Sequence, residues 1–183
     1  MPLGLVVPPG YSIDRLDTTL HDRAGFNCGT ESLDAYLETQ ASQSQDKNNA
    51  TTHVLIETDS SVVGIRPIVG YATLTPSELP LLDAHKALKK LGKSTTKLRA
   101  QLIARMAVDH RHQSKGLGVF LLRYALKCCW DIHLLSAFHV VLVDPKDEKL
   151  KAFYIKHGGF LELPDAPLRL YIPIATVGKL LSN

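Results

Sequence analysis

Cysteine is scarce in this sequence: Cys28, Cys128 and Cys129 are the only three, and two of them are adjacent. An odd number at such spacing builds neither a disulfide framework nor a thiolate metal site, so the thiols read as structural groups in a reducing cytosol. No stretch approaches the ~18 consecutive apolar residues that a membrane-spanning helix needs, and the opening MPLGLVVPPG lacks the basic start and apolar run of an export leader. A cytoplasmic protein with no membrane contact is expected. Internal repeats and low-complexity tracts are missing too. With 183 residues, 45% hydrophobic and 21% charged, the chain is expected to form one domain over residues 1–183.

Acidic residues are missing from one long segment. Between Asp83 and Asp109 there is none, while Lys86, Lys89, Lys90, Lys93, Lys97, Arg99 and Arg105 all fall there. The whole chain carries only +3, so the remainder is mildly acidic. Such a patch suits either a solvated helix face or a polyanion such as an RNA backbone.

Apolar spacing supplies the elements. Leu33, Tyr36, Leu37 and Ala41, after Gly29-Thr30, predict a helix over 31–45. TTHVLIET and VVGIRPIVGYATLT read as hairpin strands joined by the turn DSS, with Pro67 and the glycines pointing to a bulge or irregular edge. LPLLDAHKALKKLG predicts a short helix capped by Asp83 and stopped by Gly92. Then follow a strand in LIARMAVD, a helix over 116–132, a buried strand in FHVVLVD, a helix in DEKLKAFYIKHG and a last strand in LRLYIPI. Alternating strands and helices imply an α/β (α+β) architecture with a mixed, partly parallel central sheet flanked by helices.

The chemistry concentrates in QSKGLG, Gln113 to Gly118, between the strand ending at Asp109 and the helix behind it. A glycine-rich loop opening a helix suits phosphate, because unpaired amides and the positive end of the helix dipole meet there. Two familiar phosphate loops fail: a dinucleotide fingerprint would need glycine at Leu121, and a Walker loop ending at Gly92-Lys93-Ser94 would need glycine at Ala87. The pattern Gln/Arg-x-x-Gly-x-Gly/Ala fits throughout. Asp109-His110-Arg111-His112 might suggest metal, but adjacent and i, i+2 ligands without a second cluster make a poor site, and no metal is expected.

That loop after IARMAVD, joined by AFYIKHGGF later in the chain, resembles the acetyl-CoA loop and Phe-Tyr segment of the GNAT superfamily of N-acetyltransferases. With FNCGTESLDAYLETQA and THVLIE added, the likeness spans residues 26–160 and is similar to the tRNA-acetylating toxins of type II toxin–antitoxin modules. The resemblance implies acetyl-CoA as co-substrate, held by Gln113, Ser114, Lys115, Gly116, Leu117 and Gly118. Ala107 and Val108 would leave the strand pairing and offer amides to the pantetheine arm and thioester oxygen, Phe153 would pack on the cofactor, and Tyr154 would protonate the leaving thiolate. It further implies an aminoacyl-tRNA substrate contacted by Lys89, Lys90, Lys93, Arg99 and Arg105, a ribbon-helix-helix-type antitoxin partner and a homodimer. An α-amino group, with a pKa near 7.7–8.0, needs no strong general base, and His110, His112 and His157 are the nearest candidates for one. Two departures from the family pattern stand out: HGGF carries an extra glycine, and Asp147 stands where many relatives have asparagine. Acetylation of a protein or small-molecule amine, and a degenerate acetyl-CoA-sensing module that binds a partner, are the alternative readings.

Overall fold

The computed structural model describes residues 5–58, 64–80, 86–90, 96–164 and 166–182. Among them, eight strands hydrogen-bond into one mixed sheet in the order β1-β3-β4-β5-β6-β8-β7, with β2 pairing beside β4. They are β1 Tyr11–Arg15, β2 His21–Asp22, β3 Thr51–Glu57, β4 Arg66–Pro80, β5 Lys97–Val108, β6 Val140–Val143, β7 Leu161–Leu163 and β8 Ala166–Pro173. The chain divides into two compact units, one of Gly4–Thr75 with Arg105–Leu122, the other of Pro76–Ala104 with Arg123–Asn183.

In the first unit the expected helix is present as α1 Glu31–Ala35, a π turn at Tyr36–Gln40, and α2 Ala41–Asp46. Leu33, Leu37 and Ala41 recur every fourth residue. In a regular α-helix that stripe drifts around the axis, and the wider π turn takes the drift out. Leu37 and Ala41 are thus fully buried against Phe26, Val54, Ile56, Ile68, Tyr71 and Ala107. The β3–β4 hairpin carries the irregularity that Pro67 and the glycines suggested: Leu55 pairs with Gly70 and Ile56 with Ile68, so Val69 is the extra, bulged residue. Arg66 and Pro67 begin β4, where they pair in parallel with His21 and Asp22.

In the second unit β5 and β6 are parallel, from Ala100↔Val140 to Ile103↔Val143, and β6 and β7 each pair antiparallel with β8. Leu79, Leu98, Ala100, Val140, Leu142, Leu163 and Tyr171 form the core. α4 Leu117–Leu135 supplies its residues from Arg123 onward, and α5 Glu148–Gly158 and α6 Ile174–Ser182 complete the unit. Both α5 departures have local explanations. The Asp147 carboxylate accepts the Leu150 N–H at 2.8 Å, an N-cap, and Gly159 takes the left-handed C-cap at φ 68° while Gly158 ends the helix. The second glycine of HGGF makes the turn.

Several boundaries differ from the sequence reading. β4 runs on to Pro80, and of the helix expected between Asp83 and Gly92 only α3 Lys86–Lys89 is described. Its expected caps Asp83 and Gly92, Lys93, and the expected DSS turn lie outside the described residues. β5 begins at Lys97, ahead of the apolar run, because β-sheet pairing tolerates exposed Lys97 and Arg99 beside buried Leu98 and Ala100. β1, β2 and α6 were not anticipated. The apolar face of α6 (Ile174, Val177, Gly178) is short, and its packing partner is distant in sequence: a Cβ on Gly178 would lie 2.5 Å from the Trp130 ring.

Gly178→Ala is therefore expected to destabilise the protein. Alanine gains ~1 kcal/mol of helix propensity, but overpacking against a rigid indole costs about 1–3 kcal/mol, so a net loss of about 1 kcal/mol should appear as a lower urea midpoint at unchanged slope.

Candidate functional site

The loop owes its shape to Asp109, which has no solvent exposure. Its N–H donates to the carbonyl of the bulged Val69 at 2.8 Å, tying the end of β5 to β4. Its carboxylate accepts from the Asn27 N–H at 3.1 Å, from the Arg111 N–H at 3.0 Å, and from Arg111 Nε and Nη2 at 2.8 and 3.0 Å. Burial alone would raise this carboxyl, but the hydrogen bonds from Arg111 and Asn27 outweigh it and hold the group well below the usual carboxylate range. His110 is drawn in as well, its N–H donating to the Asn27 carbonyl at 2.8 Å. The Asp-His-Arg-His run thus folds as a short 3-10 turn in which an exposed Arg111 pairs with a buried Asp109. Among the described residues, no group of three or more His, Cys, Asp or Glu is arranged to hold a metal ion.

Gln113 follows, and its Nε2 donates to the carbonyls of Val108 and Cys28, each at 3.0 Å. Both amide hydrogens are thereby spent on holding the loop against β5 and the segment before α1. The backbone then alternates, with Gln113 at φ −63°, Ser114 at +63° and Gly116 at +80°. Ser114, a non-glycine, bears a strained left-handed conformation to make this turn. At Gly116 a Cβ would find nothing within 4 Å, so the space beside it is open, and any substitution there is strained by the φ. Lys115 is exposed, Leu117 is buried as the first residue of α4, and Gly118 lies in its opening turn. Amides at a helix N-terminus, an exposed lysine and clear space form a donor set that fits a diphosphate.

Ala107 is buried in the core and Val108 half-buried. The β5–β6 ladder ends at Ile103↔Val143, while β5 continues to Val108, so these two residues lie beyond the parallel pairing. Gly70 holds the corner closed: a Cβ there would meet Leu121 Cδ1 at 2.8 Å and the Ala107 carbonyl at 3.0 Å. Sequence reasoning missed Gly70, Asn27 and the structural role of Asp109, since each acts through a partner far away in the chain. Cys28, also in this unit, is pushed up to about 11 by burial and by Asp34, so its thiol is held neutral at physiological pH.

The second unit holds Tyr154, on α5. It is buried, with ring centroids 5.4 Å from Phe153 and 5.8 Å from Phe160, both edge-on. Burial pushes its phenol up to about 12. Phe153 is partly exposed, and its ring centroid is 5.1 Å from that of His157. Lys89, Lys90 and Arg99 are exposed, and Arg99 lines a cavity of about 360 Å³ with Glu78, Gln101 and Phe138. Arg105, in the first unit, is exposed with its guanidinium carbon 5.4 Å from the centroid of the Tyr36 ring.

The fold is GNAT-like, a mixed, partly parallel sheet flanked by helices, as the resemblance implied. The chain is 27% identical over 176 residues to the probable toxin TacT of Sinorhizobium fredii, covering 92% of this chain and 94% of that one. It is 27% identical over 163 residues to a tRNA-acetylating toxin of Mycobacterium tuberculosis, covering 89% and 92%. Solved structures agree in fold. A tyrosine-to-phenylalanine mutant of KacT superposes with a TM-score of 0.84 at 23% identity over 93% of this chain and 99% of that one. AtaT complexed with acetyl-methionyl-tRNAfMet gives 0.81 at 24% over 93% and 98%. An AtaT mutant bound to the antitoxin AtaR C-terminus and acetyl-CoA gives 0.78 at 23% over 95% and 99%. No protein-family model matches the chain.

Arg111→Ala should cost about 1–3 kcal/mol, because it leaves a buried carboxylate with its two backbone donors alone. Since the folded Asp109 carboxyl lies below its ordinary value, its stabilisation is present above about pH 4 and lost as pH falls below that, so wild type should show an acid-unfolding limb that Asp109→Asn flattens in a thermal-shift series. Gly116→Glu, which places strain, bulk and negative charge in the loop, should abolish acetyl-CoA binding in calorimetry while far-ultraviolet dichroism is unchanged.

Proposed function

We propose that this protein is an acetyl-CoA-dependent N-acetyltransferase that acetylates the α-amino group of aminoacyl-tRNA, acting as the translation-blocking toxin of a toxin–antitoxin module, with residues 1–183 working as one catalytic domain. The observation that carries this reading is the glycine loop at 113–118, open beside Gly116, opening α4 and seated where β5 has left its parallel partner. Likeness to acetyltransferase toxins over about nine-tenths of the chain supports it.

When bound, acetyl-CoA supplies an activated acetyl thioester. The amides of Ser114 to Gly118 with Lys115 hold its diphosphate, Gln113 keeps the loop in place, and Phe153 packs on the cofactor. An amide at Ala107 or Val108, past the end of the β5–β6 ladder, is the donor for the thioester oxygen as negative charge develops there. The neutral α-amine attacks the thioester carbon, an amide bond forms, the carbon–sulfur bond breaks, and the amine proton passes to water. Tyr154 gives its hydroxyl proton to the departing sulfur and regains one from solvent, which balances the proton the amine released. A phenol near 12 is a weak acid for a thiolate of ordinary pKa ~8.5, yet the burial that raises the phenol also raises a thiol released beside it. Such a phenol is protonated throughout the neutral range, so the proton is always available.

Lys89, Lys90, Lys93, Arg99 and Arg105 are the side chains that meet the RNA, an assignment supported by the acid-free segment that carries them. By analogy with AtaT and AtaR, the partner is an antitoxin, here of ribbon-helix-helix type, and the working form is a homodimer in the cytoplasm.

Tyr154→Phe keeps the ring and removes the proton. Acetyl transfer to charged tRNA should fall by about 10²–10⁴ with acetyl-CoA affinity within twofold of wild type, and wild type should show no rate loss from tyrosine ionisation below about pH 10. Full transfer by the mutant would remove Tyr154 from the mechanism.

A further inference from the structure

Arg105 is exposed yet not left to solvent alone, since its guanidinium sits over the ring of Tyr36, within the range of a cation–π contact. Tyr36 is the first residue of the π turn, partly buried, and stacks on Tyr71 with centroids 6.4 Å apart and planes 22° apart. Tyr71 is immovable: it has no exposed surface, and its hydroxyl donates to the Leu33 carbonyl at 2.9 Å. Phe26 meets its ring edge-on at 5.5 Å. Core, tyrosine, tyrosine and guanidinium therefore form one column, rooted in the hydrophobic core and ending at the surface. The column needs the π turn, because an unbroken α-helix would rotate the residues on either side of it relative to one another.

Position gives the column its meaning. Arg105 precedes Ala107 by two residues on β5, on the same face and about 7 Å along the strand. If Ala107 and Val108 flank the reacting thioester, the α-amine of the acceptor must arrive there, and the group esterified to the amino acid lies within one arginine length of it. In aminoacyl-tRNA that group is the unpaired 3′-terminal nucleotide. Unpaired bases are recognised by stacking on aromatic rings and on arginine guanidinium planes.

We propose that Arg105 is the stacking surface for the 3′-terminal base of the charged acceptor end, and that Tyr36 is the positioning residue that orients it. This rests on the aminoacyl-tRNA reading above and adds a specificity determinant to it: the enzyme selects a nucleoside ester over a bare amino-acid ester. A planar guanidinium is required, and a point charge does not suffice.

The test measures kcat and KM for three acceptors carrying the same amino acid: charged tRNA, the 3′-O-aminoacyl ester of adenosine, and the methyl ester. Wild type should prefer the adenosine ester to the methyl ester about tenfold or more in KM. Arg105→Met and Arg105→Lys should both erase that preference, raising the KM for the adenosine ester to that for the methyl ester. Tyr36→Leu should do the same and Tyr36→Phe should restore it. Retention of the preference by Arg105→Lys would reduce the contact to electrostatics and overturn the stacking role, and absence of any preference in wild type would overturn it outright. Because Arg105 is exposed, its variants decide the matter even where Tyr36→Leu fails to fold. Active transfer to charged tRNA without nucleoside preference defeats this inference alone, whereas transfer to the methyl ester with none to charged tRNA defeats the substrate reading as well.

Discussion

A carboxylate with no access to water stays ionised only where donors replace its hydration, and at Asp109 four N–H groups do so. One comes from Asn27, eighty-two residues earlier, and three from Arg111. The same residue spends its own N–H on the bulged Val69 of β4. Strand end, N-terminal loop and 3-10 turn are thereby fastened at one point, and the alternating backbone of 113–116 hangs from it. The geometry of the loop is consequently a long-range property: without Asn27 and Val69 in place, nothing fixes the direction in which its amides aim.

The ion pair also decides which charges remain for a ligand. Arg111 is committed to Asp109 and Gln113 to two carbonyls, so the positive character of the loop comes from its backbone amides, the start of α4 and Lys115. Amides fixed in place have no reorganisation to undergo when an anion arrives, which side chains on flexible stems do. Ser114 bears the backbone strain of this arrangement, and the buried anchor beneath it is what makes that strain tolerable.

Burial pushes both of these acids up, and what surrounds each decides the outcome. Asp109 is driven down because donors surround its charged form, while Tyr154, amid Phe153 and Phe160, is driven up because its charged form has only apolar company. The first is thereby held as an anion that fixes structure, and the second as a neutral phenol across the neutral pH range.

Much of this protein was legible in local pattern. Helical spacing from Leu33 to Ala41, β-branched runs in β3 and β6, and the glycine spacing of QSKGLG are properties of short stretches, and those elements stand where the pattern put them. The bulge beside Pro67 was legible for the same reason, because proline and glycine restrict their own backbone. What tertiary structure alone decided depends on partners distant in sequence: the length of β4 and β5, set by pairing; the docking of α6 on Trp130; the need for glycine at position 70, set by the Ala107 carbonyl and Leu121; and the roles of Asp109 and Tyr36. A sequence specifies which backbone shapes a segment can adopt at low cost, but the burial of a charge or the seating of an arginine on a ring requires atoms that only the folded chain brings together.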